Sequence, residues 1–101
     1  MPAFNTEVPH NLGQEAAIKK LSNLVDRVHE KYKDQVSSMA GQWNANVLTF
    51  DMTTYGFTIN GVLTVEDDVA RLVGQIPFAA IAFKGKIQHS FAHEIQKALA
   101  K

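Results

Sequence analysis

Apolar and polar positions repeat along this chain with two different periods, and each period predicts a different kind of element. Residues 3–8 alternate between apolar and polar, which predicts a short half-buried strand that Pro9 ends, because proline has no N–H for a sheet hydrogen bond. Residues 12–34 are predicted to form one amphipathic helix of about six turns, because apolar side chains recur every three or four positions from Ala17 onward. The same repeat over residues 79–100 predicts a second long helix. Gly85 costs about 1 kcal/mol relative to Ala in a helix interior, and we expect it either to let the helix bend over the sheet or to lie where the first turns are irregular.

Residues 36–76 lie between these helices and alternate with the period of a strand. The predicted strands are 36–43, 47–54, 57–65 and 69–76, with turns at Asn44-Ala45-Asn46, Tyr55-Gly56 and Glu66-Asp67-Asp68. Asn60-Gly61 is also typical of a hairpin turn. We favour Gly61 inside a strand, where it permits a bulge or the close passage of a helix. Pro77 is predicted to end the sheet.

The order of these elements predicts an α+β fold: strand, long helix, four-strand antiparallel meander and long C-terminal helix. The predicted helices and strands all span roughly 25–35 Å, so each helix can lie along the whole sheet. We therefore expect a single curved sheet with two helices on one face, a reduced helix-grip-like arrangement. Because 101 residues leave no room for a second core of normal size, residues 1–101 are expected to form a single domain.

Composition removes several classes of function. Ten Lys and Arg balance ten Asp and Glu, so no basic surface argues for nucleic acid, and the lack of Cys excludes disulfides and thiolate chemistry. Residues 35–70 are acidic and residues 71–101 mostly basic, which indicates either solvated surfaces or an orienting dipole for a partner. No apolar run approaches about 18 residues and residues 1–10 lack a signal-peptide core, so we expect a cytoplasmic protein without a membrane span.

Few side chains with catalytic or metal-binding chemistry converge in the sequence. His89 and His93 have the spacing of a two-histidine metal pair, with Glu94 beside them. Counted from Ile87 at 100° per residue, however, they lie about 200° and 240° around the helix, away from the core. We therefore expect an exposed polar face, no metal and no cofactor. His10 is expected to be a turn or cap residue, and we expect the protein not to be an enzyme.

The apolar side of the meander is a candidate site of a different kind. Its side chains are expected to face the helices and form the core; the alternative is a groove for an acyl chain or an apolar surface. The candidate ligand-binding residues are Met39, Trp43, Phe50, Met52, Phe57 and Phe83. We expect replacement of Trp43 by Ala to destabilise the fold by about 3 kcal/mol or more through a void in the core, and an unchanged melting temperature would favour a binding role for Trp43.

Several motifs occur in a fixed order along the chain. They are His10-Asn11-Leu12-Gly13 followed by Glu15-Ala16, then Trp43, Phe50, Gly61-Val62-Leu63-Thr64-Val65, Pro77, and Phe83-Lys84-Gly85-Lys86-Ile87. In this order and spacing the chain resembles the polyhydroxyalkanoic acid system proteins, also called granule-region proteins. The resemblance gives His10, Gly13, Gly61, Pro77 and Gly85 the status of motif residues, and it implies no catalytic residue.

Two functions from different classes follow. The resemblance implies a structural or regulatory accessory protein that associates with polyhydroxyalkanoate granules, through the polymer surface or through granule proteins. The alternative is a small helix-grip carrier domain that holds an acyl chain or other apolar ligand between helix and sheet. A surface binder should expose an apolar patch of several hundred Å², whereas a carrier should enclose a cavity of about 300 Å³ or more. A homodimer is a further hypothesis, because the first strand or strand 36–43 is expected at an unblocked sheet edge.

Overall fold

A five-stranded antiparallel sheet is the frame of the molecule, and the computed structural model describes residues 3–100. Its strands are β1 (Ala3–Pro9), β2 (Val36–Asn44), β3 (Val47–Thr54), β4 (Phe57–Val65) and β5 (Val69–Gln75). The sheet order is β1-β5-β4-β3-β2, so the four later strands form the predicted meander and β1 pairs with β5. Strands β1 and β2 are therefore the two edges of the sheet.

The helices pack on one face of this sheet. They are α1 (Gln14–Leu21), α2 (Leu24–Lys31), a 3₁₀ helix (Phe78–Phe83) and α3 (Lys84–Leu99). Strands β3 and β4 bury every second side chain beneath the helices and expose most of those between, as expected for a sheet covered on one side. The predicted α+β fold, with a single antiparallel sheet gripping helices on one face, is confirmed.

The single helix predicted over residues 12–34 is wrong in its extent, because the chain forms two short helices there. The Ser22 backbone N–H and hydroxyl both donate to the carbonyl oxygen of Lys19, at 3.3 and 2.8 Å, and Asn23 leaves the helical conformation. Serine and asparagine side chains offer the backbone local hydrogen bonds that compete with a continuing helix. Periodicity alone could not find this break, since the apolar stripe continues from Leu21 to Leu24.

The second long helix also begins differently from the prediction. Pro77 ends the sheet, and the chain then makes the 3₁₀ helix, in which the Ala80 N–H donates to the Pro77 carbonyl at 2.9 Å. Regular α-helix starts only at Lys84, so Gly85 lies in its first turn and not in its interior. Of the two predicted roles for Gly85, the irregular first turns are therefore observed.

A row of glycine and phenylalanine residues crosses all five strands on the covered face. In strand order from β2 to β1, the directly paired residues of the row are Gly41, Phe50, Gly61, Gly74 and Phe4. A Cβ atom at Gly61 would lie 2.4 Å from Cζ of Phe50, and one at Gly74 would lie 2.3 Å from Cζ of Phe4. Phe91 of α3 contacts both rings: it stacks on Phe4 with a centroid separation of 6.4 Å and lies tilted against Phe50 with a centroid separation of 5.2 Å. Gly61 thus lies inside a strand, as predicted, and what passes close to it is an aromatic ring.

Candidate functional site

A small cavity opens between α2, α3 and the ends of β2 and β3. Its volume is ≈ 110 Å³. The apolar lining consists of Val28, Val36, Met52, Ile87 and Phe91, and the polar lining of Tyr32, Gln35, Thr54, Tyr55, Lys86, Ser90 and Glu94. A cavity of this size is well below the roughly 300 Å³ expected of a pocket for a drug-sized ligand. The carrier hypothesis in its predicted form, with a large enclosed cavity between helix and sheet, is not supported by this geometry.

A buried carboxylate lies at the α2 side of the cavity. Glu94 is only 2% exposed, and its Oε2 accepts hydrogen bonds from the Lys31 Nζ at 2.6 Å and from the Tyr32 hydroxyl at 3.1 Å. The Lys31 side chain itself remains 40% exposed, so one partner of the ion pair keeps contact with water. Such partners offset the free-energy cost of removing a charge from water.

The pKa values of these three groups are shifted together. Burial raises the pKa of Glu94, but the hydrogen bonds from Lys31 and Tyr32 and the charge of Lys31 outweigh it, so the pKa lies below its ordinary value. The pKa of Lys31 is raised, chiefly by its hydrogen bond to Glu94, and that of Tyr32 is raised by burial and by the same carboxylate. Glu94 is therefore an anion at neutral pH, and its Oε2 is engaged by two donors.

Glu94 is named in the sequence analysis only as a neighbour of the two histidines and is not identified there as buried. His89 and His93 are exposed on the polar face of α3, as expected, but Glu94 lies on the opposite, buried side. It follows Ile87 by seven residues, which is about 20° from that core residue on a helical wheel at 100° per residue. The same count that placed the two histidines in solvent would have found the buried carboxylate.

The six candidate ligand-binding residues do not form one site. Met52 alone among them lines the cavity, whereas Phe50 is buried beneath Phe91. Met39 and Trp43 are half-buried on the covered side of the edge strand β2, where they pair with Met52 and Leu48 of β3.

The remaining two candidates belong to an aromatic cluster beside the β3–β4 turn. The ring of Phe83 stacks on Tyr55 with a centroid separation of 4.7 Å and lies 6.2 Å from Phe57. This cluster attaches the C-terminal end of the 3₁₀ helix to the sheet.

The motif residues near the N-terminus connect two loops. His10 Nε2 lies 3.0 Å from the Glu66 carbonyl oxygen, and its Nδ1 accepts the Leu12 N–H at 3.2 Å. Both contacts are satisfied together when Nε2 carries the proton and donates. Gly13, with φ of +83°, then leads into α1 in a conformation that other residues rarely adopt. This part of the motif holds the β1–α1 loop against the β4–β5 turn.

An exposed apolar surface lies on the 3₁₀ helix, which consists entirely of Phe, Ala and Ile. Phe78 is 73% exposed and Ile81 is 52% exposed. Together with the exposed Ala79 and Ala82, these side chains form what we call the 3₁₀ patch. Large apolar side chains exposed side by side are typical of a contact surface, whereas isolated ones are common on any protein.

A second pair of exposed apolar residues lies on the other side of the sheet. Val62 and Val73 pair directly across β4 and β5, and the adjacent strands place Thr49 and Asn5 beside them in the same row. Polar neighbours on both sides make this pair a weaker candidate for an apolar contact than the 3₁₀ patch.

Two negative observations apply to residues 3–100. No cluster of three or more His, Cys, Asp or Glu side chains there is arranged to hold a metal ion. Within the same residues, no helix has the length and apolar character needed to cross a bilayer.

Comparisons with known proteins give a family and a distant structural likeness. No curated protein matches the chain. Among solved structures, the crystal structure of Ara h 8.0201 superposes with a TM-score of 0.45 at 9% sequence identity, over 99% of each chain. Residues 5–100 match the family described as polyhydroxyalkanoic acid system proteins. Because this match spans nearly the whole sequence, the chain belongs to the family of polyhydroxyalkanoic acid system proteins.

Proposed function

We propose that this protein is a non-enzymatic accessory protein of polyhydroxyalkanoate storage, which attaches to the polymer surface of cytoplasmic granules through the 3₁₀ patch. The observation that carries the proposal is the exposure of Phe78 and Ile81 on a helix with no polar side chain. The family to which the chain belongs supplies the setting, a polyester storage system.

The physical basis of the attachment is the burial of apolar side chains. Covering Phe78 and Ile81 with an apolar polymer would contribute about 1.5–3 kcal/mol for each side chain. The helix that carries them is fixed to the fold, since Phe83 stacks on Tyr55 and Ala80 is buried. Little conformational freedom of the backbone would therefore be lost when the patch meets a surface.

The geometry favours a surface binder over a carrier of long acyl chains. The patch is open to solvent, whereas the cavity of ≈ 110 Å³ is too small to enclose a long chain. The non-enzymatic part of the proposal is supported by Glu94, the buried carboxylate of the cavity, whose Oε2 accepts from both Lys31 and Tyr32 and so serves as a structural contact between α2 and α3.

Co-sedimentation with native polyester granules, run beside lipid vesicles of matched surface area, tests the proposal. We expect the wild-type protein to be retained by granules at moderate salt, because apolar contacts are not screened by ions. Replacing Phe78 and Ile81 together with Ser should weaken retention by on the order of 100-fold, since about 3 kcal/mol of apolar burial is lost.

The matched control removes apolar surface elsewhere. Val62 and Val73 are exposed on the outer face of the sheet, and replacing both with Thr should leave granule retention unchanged. Equal retention of the Phe78→Ser, Ile81→Ser variant and the wild type would exclude the 3₁₀ patch as the contact. Failure of the wild-type protein to bind granules at all would exclude direct attachment to the polymer.

The homodimer predicted from the sequence is part of the same proposal, with β2 as the pairing edge. Strand β1 carries Glu7 and ends at Pro9, and both features discourage pairing with a further strand. Strand β2 contains neither a charged residue nor a proline over Val36–Asn44. Two copies could therefore extend the sheet across a twofold axis without bringing like charges together.

A further inference from the structure

We propose that the cavity between α2, α3 and β3 binds a short aliphatic carboxylate of about four to five carbons, with Lys86 holding the carboxylate group at the mouth. The size follows from comparison with a cavity of about 150 Å³ that accommodates the six carbons of benzene. By proportion, ≈ 110 Å³ holds four or five carbon atoms. The site is separate from the 3₁₀ patch, so the inference does not rest on granule attachment.

The inner part of the cavity fits the aliphatic portion of such a ligand. Met52, Ile87 and Phe91 are buried and contribute apolar side chains from β3 and α3, and Val28 contributes one from α2. Phe91 is held against Phe50, with a tilted ring pair and a centroid separation of 5.2 Å, so this wall is preformed. A preformed apolar wall with a few polar groups at its rim is the usual construction of a small-molecule site.

Charge determines which headgroup the site can accept. One row of side chains on α3 lines the cavity and consists of Lys86, Ser90 and Glu94. These residues are four positions apart in the sequence, so neighbours in the row lie about 6 Å apart along the helix axis. The charge of Glu94 is compensated by Lys31 at 2.6 Å. None of the ion pairs among residues 3–100 includes Lys86, whose ammonium group lies 5.3 Å from the centroid of the Tyr55 ring. The uncompensated charge at the cavity is therefore positive and lies at its exposed end.

The orientation of the ligand follows from these charges. A carboxylate placed at the inner end would approach Glu94 and would lose its hydration, so it remains at the mouth beside Lys86. The aliphatic chain then points towards Met52 and Phe91. Ser90 contributes a hydroxyl group to the lining that can pair with a hydroxyl substituent on the chain, whereas the Tyr32 hydroxyl already donates to Glu94.

Titration of the full chain with butanoate and with 3-hydroxybutanoate, followed by backbone amide NMR shifts, tests the site. We expect saturable shifts around Tyr55, Ile87 and Ser90 for both acids, with a Kd on the order of 1 mM for so few heavy atoms. Butan-1-ol, which lacks the charge, should bind about fivefold more weakly, as expected for the loss of a half-exposed ion pair.

Two variants and a matched control distinguish the contribution of the Lys86 charge to binding from that of the cavity volume. Lys86→Met should weaken the binding of both acids about fivefold, whereas Lys84→Met, two residues earlier and outside the lining, should leave it unchanged. Ser90→Leu should fill the cavity from α3 and abolish the shifts, while its urea midpoint confirms that the protein is folded.

Three results would overturn the proposal. They are the absence of saturable shifts with either acid, equal affinity of the Lys86→Met variant and the wild type, and tighter binding of butylammonium than of butanoate, which would mean that Glu94 selects a cation. The Phe78→Ser, Ile81→Ser variant should still bind butanoate, so a failure of granule attachment and a failure of this site give different results.

Discussion

Glu94 is the residue whose environment departs most from what its type predicts. A carboxylate that is 2% exposed would be costly without the ammonium group of Lys31 and the hydroxyl of Tyr32. These contacts join α2 to α3 through side chains that lie 62 and 63 residues apart in the sequence. The pair thus fixes the relative position of the two helices that form one side of the cavity.

Replacing Glu94 with Gln should lower the free energy of unfolding at pH 7 by about 1–2 kcal/mol. The amide can still accept the Tyr32 hydroxyl, and the half-exposed Lys31 can turn to water, so the loss stays below that of an abandoned buried charge. Urea unfolding measures the difference. Glu30→Gln is the control, because that side chain is exposed and lies 3.8 Å from Lys33, and this change should have no measurable effect.

The Glu94 carboxylate also makes the free energy of unfolding depend on pH, and the direction of this dependence follows from its pKa. Because the pKa of Glu94 in the folded state lies below its ordinary value of 4.5, the unfolded chain binds the proton more tightly. The stability from Glu94 is therefore fully present above about pH 5 and is lost as the pH falls towards the folded-state pKa. Unfolding curves between pH 7 and pH 3 should show the wild type and Glu94→Gln converging on acidification. If the difference in free energy of unfolding between the two proteins stayed constant over this range, the lowered pKa of Glu94 would be contradicted.

Trp43 is half-buried on the edge strand β2. Its removal should therefore lower the free energy of unfolding by less than the removal of a fully buried tryptophan would. Trp43→Ala should lower the free energy of unfolding by about 1–2 kcal/mol, because only part of the ring is taken from water. The measurement is again urea unfolding, at low protein concentration. A loss that grows to about 3 kcal/mol or more when the protein concentration is raised would indicate that a second copy covers this edge in solution.

Among the elements, the strands were predicted more closely than the helices. Strand positions follow from alternation, which the covered face imposes on every residue of β3 and β4. The break between α1 and α2 depends on local hydrogen bonds at Ser22, which do not change the apolar stripe. The cavity could not be predicted in size, because its volume depends on how closely α2 and α3 approach the sheet.

Two glycine substitutions should have opposite effects, because the two residues lie in different elements. Gly61→Ala should destabilise the protein by about 2 kcal/mol or more, since the new Cβ would meet the Phe50 ring at 2.4 Å. Gly85→Ala in the first turn of α3 meets no neighbouring atom within 4 Å and should be neutral or stabilising by up to about 1 kcal/mol. Thermal unfolding of both variants measures the contrast. If Gly61→Ala had the same melting temperature as the wild type, the Phe50 ring would have to move aside without any cost in free energy.

At the scale of the whole molecule, the edge strand β2 and the 3₁₀ patch are the surfaces that we propose for partners. The homodimer through β2 stays a prediction, and sedimentation velocity over a range of concentrations tests it. Ala40→Lys places a charge on the exposed edge strand and should give a monomer at every concentration. Asn5→Lys on the opposite edge, β1, is the matched control and should leave the association unchanged. A wild-type protein that is monomeric throughout would exclude the dimer.

The row of glycine and phenylalanine residues across the sheet has a consequence for how this sequence can diverge. Positions 41, 50, 61, 74 and 4 are distant in the chain, yet each ring occupies the space that a neighbouring residue leaves empty. A lineage that gains a methyl group at position 61 therefore has to lose part of the ring at position 50 first or at the same time. Among descendants of such a protein, large and small residues should exchange places within this row while their summed volume stays nearly constant.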